Sequence, residues 1–307
     1  MPNLFLPIYN SLEKEVIKLS ENIYFDDKQL DVYSIKIAEL LIRTVIEIET
    51  LSKELYFKNG GQTKYKEDGT VDFLYFDTDC LNYLENLWGL SKKEVIISSA
   101  NFYFTDKENI ILNPLKKANK RGSSSSDWAK AYQCIKHDRS KNLNKATIKN
   151  LIRALAALYL LNIYNRTAEE INNITQNNDM SFGSNIFSVK KQFASFLMVE
   201  GNVDKIDETV VCIEKFDNEK FKNIIEESRK DLSIQINQLY NSEEYKSFIK
   251  DNPEYKIDGK NIMSVCIEIG GYNFMRKIIH SSINGIKLCK PPYIKVLNKN
   301  QQIYPEI

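Results

Sequence analysis

The sequence predicts a mainly helical protein: an antiparallel helical bundle over residues 1–166, interrupted by a partly β insertion at about 58–120, then a smaller α+β region over 167–307. Three observations carry that prediction. Apolar residues recur every three or four positions through several long stretches, and the stretch from Ala146 to Arg166 is apolar nearly all round. Runs rich in β-branched and aromatic residues are short and fall only in the insertion and the C-terminal part. With 43% hydrophobic residues, the 307-residue chain can fill one large core or two ordinary ones.

Leu12, Val16, Leu19 and Ile23 define a first helix over residues 10–24, with one apolar stripe. Asp31 or Ser34 then caps a second helix ending near Tyr56, in which Ile37, Leu41, Val45, Ile48, Leu51 and Leu55 form the buried stripe. Its other side carries Glu39, Arg43, Glu47, Thr50 and Glu54, with Glu49 and Lys53 as an i,i+4 pair beside them. Such a stripe is a solvated face, or else Glu47 or Glu49 is a partner for the later basic cluster.

Asn59, Gly60 and Gly61 end this helix and open the insertion. Within it, Val71 to Phe76 predicts a short strand, Cys80 to Trp88 a short helix with Asp79 as its cap, and Glu94 to Ser98 a second strand. Lys116, Lys117, Lys120 and Arg121 lead into Gly122 and four serines, a hinge or a phosphate-contacting loop without the spacing of a P-loop. Ser126 or Asp127 caps the next helix, whose stripe is Trp128, Ala131, Tyr132 and Ile135. Lys130, Gln133, Lys136 and His137 lie off that stripe.

After a break at Asn142 to Asn144, the apolar helix from Ala146 to Arg166 is the centre of the bundle. The polar run from Thr167 marks a boundary. Beyond it, Ser184 to Phe193 and Glu208 to Phe216 predict a strand pair, helices resume after Asp217 and again over 262–283, and Tyr293 to Asn298 predicts an edge strand.

Charge and cysteine usage remove several classes of function. Forty-two Lys and Arg against 41 Asp and Glu leave no global field to attract nucleic acid or membrane, so a nucleic-acid site has to be a local patch. Five scattered cysteines without a C-x-x-C pair argue against a disulfide framework and a zinc site, and a cytoplasmic location is expected. The N-terminus lacks the basic region of a signal peptide, and no apolar run is long enough for a membrane span. No metal or cofactor is expected.

The chemistry-bearing cluster is Lys136, His137, Asp138 and Arg139, which holds one of only two histidines. An imidazole can move protons near neutral pH, and Lys136 and Arg139 can hold a phosphate; metal-independent RNA cleavage needs a base, an acid and cations around the phosphorus. The same run also suits a charged helix C-terminus, where cations satisfy the terminal carbonyls. His280 has no nearby carboxylate in the sequence and reads as a helix-end cap or a half-buried side chain.

These stretches resemble the HEPN superfamily, small helical bundles found in bacterial toxins, abortive-infection proteins and other antiphage systems, many of them metal-independent ribonucleases. The resemblance covers about Ser34 to Arg166 and rests on EIETLSKELY, on WAKAYQCIKHDR and on RALAALYLLNIY. It implies His137 as a catalytic or RNA-contacting histidine, with Arg139 and Lys136 as basic companions. Lys130, Arg121 and Lys120 would then contact RNA, and Glu47, Glu49 and Asp138 would support the cluster. In the family motif an arginine precedes the histidine by four to six residues, whereas here His137 comes before Arg139. The expectation is an RNA-directed defence or toxin protein, a homodimer with an antitoxin or another defence-system partner protein. The alternative is a catalytically inactive module that binds RNA or protein.

Overall fold

The central apolar helix predicted from the sequence is α7 (Ile148–Tyr164), and fourteen of its seventeen residues are buried. A computed structural model describes residues 4–174, 179–193, 206–257, 259–279 and 292–299. Around α7 pack α1 (Phe5–Ser20), α2 (Ile35–Lys58) and α5 (Asp127–His137). Ser34 caps α2 by accepting the Ile37 N–H at 3.1 Å, and Thr147 caps α7 by accepting from Asn150. Leu41, Val45, Ile48 and Leu51 of α2 share one core with Leu151, Leu155 and Leu158 of α7. Each fully buried Leu or Ile contributes roughly 1.5–3 kcal/mol, so this shared face dominates the stability of the helical part.

The insertion is less strand-rich than its composition suggests. After α3 (Asn82–Trp88), β1 (Val95–Ile97), α4 (Lys107–Ile110) and β2 (Ile111–Leu112) follow. The Val71–Phe76 run forms no strand: a single bridge pairs Tyr65 with Val71, and a π-type turn takes over at Phe76–Leu81. Asp79 does not cap forward into α3. It turns back to accept the Tyr75 N–H at 2.8 Å and pairs with Lys64 at 2.5 Å. Trp128 fastens α5 to the end of this segment by donating its indole N–H to the Pro114 carbonyl at 2.9 Å.

Short α6 (Arg139–Asn142) links α5 to α7 through a 3-10 turn. Thr167 does not end the helical part, since α8 (Ala168–Ile174) follows at once. Of the predicted strand pair, the first segment divides into two strands that join different sheets, and only its second part pairs with the 208–216 segment. Strand β3 (Phe187–Val189) joins β1 antiparallel, giving the order β2-β1-β3. Strand β4 (Lys191–Phe193) runs parallel to β5 (Cys212–Phe216), with β6 (Tyr293–Leu297) on the outer edge of β5. Period-two patterning identifies strands but not partners, and here the partners lie far away in sequence.

A buried carboxylate ties this sheet region to the bundle. Glu13 of α1 accepts from Tyr9 at 2.7 Å, from the Asn185 and Ile186 N–H groups at 3.1 and 3.2 Å, and from Ser184. Burial of a charge is tolerated only with such satisfaction of its lone pairs.

Contacts divide the chain into two units. The larger runs to Lys215 and resumes at Lys295, so it extends well beyond the boundary read at residue 166; the smaller spans Phe216–Ile294. The smaller consists mainly of α9 (Asn218–Asn241), α10 (Glu243–Asp251) and α11 (Ile262–Ile278), around a modest core of Leu239, Val265, Cys266, Phe274 and Ile278. His280 and the end of the helix predicted to residue 283 lie outside the described residues. Among the described residues, no helix is long and apolar enough to cross a membrane.

Candidate functional site

The polar sides of α2 and α5 open onto a cleft of about 630 Å³ in the larger unit. Helix α2 supplies Glu49 and Lys53, one turn apart on the same face, and α5 supplies Lys130, Gln133 and Lys136. The far wall is the segment from Phe73 to Asp77, joined by Arg121, Gly122 and Ser123. The lining therefore holds four cationic side chains and two carboxylates, Glu49 and Asp77, beside the aromatic rings of Phe73, Tyr75 and Phe76.

Local sequence explains how the wall is held. At the end of α2, a Cβ on Gly61 would lie 2.4 Å from the Tyr56 ring, so only glycine lets the chain turn back there. The Tyr56 hydroxyl then donates to the Gln62 carbonyl at 2.9 Å, which starts the segment leading to the wall. Asp72 N–H donates to Lys64 and Lys66 N–H to Thr70, both at 2.8 Å, folding residues 64–72 into a narrow loop. Gly122, at φ +62°, turns the chain from Arg121 into the serine run.

Arg121 is the most constrained cation in the cleft. Its Nε–H donates to both Asp77 oxygens, at 3.1 and 2.9 Å, and its guanidinium carbon lies 3.5 Å from the centre of the Tyr75 ring. Burial works against its charge, but the Asp77 carboxylate outweighs that and holds the guanidinium above its ordinary pKa. Lys53 stands 5.5 Å from the Phe73 ring centre. Lys130 pairs with Asp127 at 2.9 Å on its own helix.

Tyr132 connects the two helices. Its ring is buried, Lys136 Nζ is 5.2 Å from its centre, and burial followed by the nearby Glu49 charge raises the phenol pKa. In return the Tyr132 hydroxyl, with a smaller contribution from Glu49, raises the pKa of Lys136. Lys136 thus stays a firm cation at the cleft edge.

The structure brings Lys136, Lys130, Arg121 and Glu49 together and leaves the other candidates outside the lining. His137, the last residue of α5, and Arg139, the first of α6, are exposed, and neither side chain has a hydrogen-bond or ion-pair partner among the described residues. Asp138 caps α6: it accepts from the Lys141 N–H at 3.2 Å and from Ser140 Oγ at 2.8 Å, which lowers its pKa. Glu47 is half-buried on α2, where desolvation raises its pKa against the opposing pull of Arg43. Lys120 is exposed beside Arg121.

No family model, curated protein or solved structure matches this chain. The chemistry of the cleft therefore rests on its own residues.

Sequence reasoning missed Phe73, Tyr75 and Asp77 as site residues. Three aromatics in five residues looked like strand composition, and the signal against a strand was the Asp-Thr-Asp that follows, which turns the chain. Among the described residues, no group of three or more His, Cys, Asp or Glu is placed to hold a metal ion. Ring faces beside fixed cations can bind a planar, negatively charged polymer such as single-stranded nucleic acid.

Proposed function

We propose that this protein is an RNA-directed protein of the defence or toxin type, acting in the cytoplasm, whose cleft between α2 and α5 holds a single strand of RNA. The observation that carries this reading is the convergence of Lys53, Lys130, Lys136 and Arg121 with the rings of Phe73 and Tyr75 in one cleft. Cations there contact phosphates, and ring faces accept bases without regard to sequence. The HEPN-like bundle, a homodimeric assembly and an antitoxin or other defence-system partner belong to the same proposal.

Metal-independent cleavage is a second reading, favoured by the exposed imidazole of His137 next to Lys136. In it His137 takes the proton of the 2′-hydroxyl, whose oxygen attacks the adjacent phosphorus; the P–O5′ bond breaks, the imidazolium returns the proton to the leaving 5′-oxygen, and Lys136 and Arg139 hold the phosphate. One experiment separates the readings. Purified protein is incubated with labelled single-stranded RNA in EDTA, alongside Lys136→Ala and His137→Ala. Binding weakened by Lys136→Ala supports the RNA reading, and no binding by the wild-type protein ends it. Cleavage lost in His137→Ala adds the enzyme, whereas binding without cleavage assigns a non-catalytic RNA-binding module.

A further inference from the structure

Arg121 is held more tightly than a surface cation needs to be. Asp77, itself buried, takes the Nε–H, and the Tyr75 ring supports the guanidinium plane from beneath at 3.5 Å. Asp77 engages only the Nε–H, and the side chain stays 44% exposed. Beside it Phe73 is 61% exposed, an expensive place for a ring that only has to fold, and the Phe73 and Tyr75 centroids are 4.5 Å apart. The backbone beneath is fixed too, by the Asp79 carboxylate on the Tyr75 N–H and by the π-type turn that presents Asp77.

A guanidinium fixed in one plane offers a flat face on which a nucleobase can stack. A phosphate takes a guanidinium edge-on, through its N–H groups, whereas a guanidinium face backed by an aromatic ring suits a planar ligand. We propose that Arg121, Tyr75 and Phe73 form a ledge on which one unpaired nucleobase stacks, while Lys53 and Lys136 hold the flanking phosphates. The ledge sets the preference of the cleft for unstacked, single-stranded RNA. A paired base in an A-form helix has no free face to offer. This inference rests on the RNA reading and adds the residues that recognise the base.

The test uses the full-length protein and a 12-nucleotide 2′-O-methyl RNA, which resists cleavage, with or without abasic positions that keep every phosphate. Wild-type binding should fall about five- to 150-fold when bases are removed, the range expected for one stacked base. Tyr75→Leu and Phe73→Leu should bind the intact strand weakly and lose that difference, and so should Arg121→Lys, which keeps the charge but not the plane. Phe73 is exposed enough that its variant keeps the fold, as a melting curve will show. Equal binding of intact and abasic strands by the wild type, with Lys136→Ala still weakening both, overturns the ledge and leaves the RNA reading standing. No binding of either strand overturns both.

Discussion

Replacing Lys136 by alanine should flatten the salt dependence of RNA binding by a calculable amount. Each phosphate neutralised on a single strand contributes about −0.7 to the slope of log K against log salt. Lys53 and Lys136 make no ion pair among the described residues, whereas Arg121 is paired with Asp77 and Lys130 with Asp127. If only the first two meet phosphates, the slope is about −1.4; if all four do, it is about −2.8. Between 50 and 200 mM salt, that is a loss of affinity of roughly 7-fold to 50-fold. Lys136→Ala should bring the slope about 0.7 closer to zero, read from fluorescence anisotropy titrations at four or five salt concentrations. A wild-type slope near zero, or a slope that Lys136→Ala leaves unchanged, would refute the assignment of phosphate contacts to this cleft.

Two further predictions concern stability. Lys93 has no exposed surface, and its Nζ donates to the Glu208 carbonyl at 2.9 Å; burial pushes its pKa down from 10.5 to about 8. Below pH 8 both folded and unfolded states carry the proton, so the full penalty of about 3 kcal/mol applies, and it is relieved as pH rises from 8 towards 10.5. Lys93→Met should therefore be more stable than wild type at pH 7, with the gap narrowing between pH 8 and 10 in urea melts; a gap that does not change with pH would contradict this. Leu155→Ala, at a fully buried position of α7, should cost about 2–5 kcal/mol, and a loss under about 1 kcal/mol in the same melts would mean that α7 is not the centre of the bundle.

The helices were legible because their signal is local and repeated. The stripe from Ile37 to Leu55 and the all-round apolar character of α7 follow from spacing, and of the two cap candidates Asp31 and Ser34 the structure uses Ser34. Strand partners were legible only in part: the predicted pairing of residues 184–193 with 208–216 is present as Lys191 against Cys212, whereas its parallel direction and the pairing of Val95 with Val189 follow from no spacing rule. The site divides in the same way. Lys130 and Lys136 could be placed off the α5 stripe by counting, and of Glu47 and Glu49, the two alternatives read as partners for the basic cluster, only Glu49 lines the cleft. The aromatic wall was not, because it depends on Gly61 turning the chain back along Tyr56 and on Asp79 bonding backwards to Tyr75. His137 stood out by chemical type, yet the α5 helix ends at that residue and leaves its side chain outside the cleft lining.

The most direct test of the central claim is where RNA touches the protein. Hydrogen exchange of the full chain, with and without a 12-nucleotide single-stranded RNA, should show slowed exchange in residues 71–77 and 121–136 together. The smaller unit, Phe216–Ile294, should be unchanged. Protection confined to other segments, or none at concentrations that saturate binding, would show that the cleft between α2 and α5 is not the RNA site.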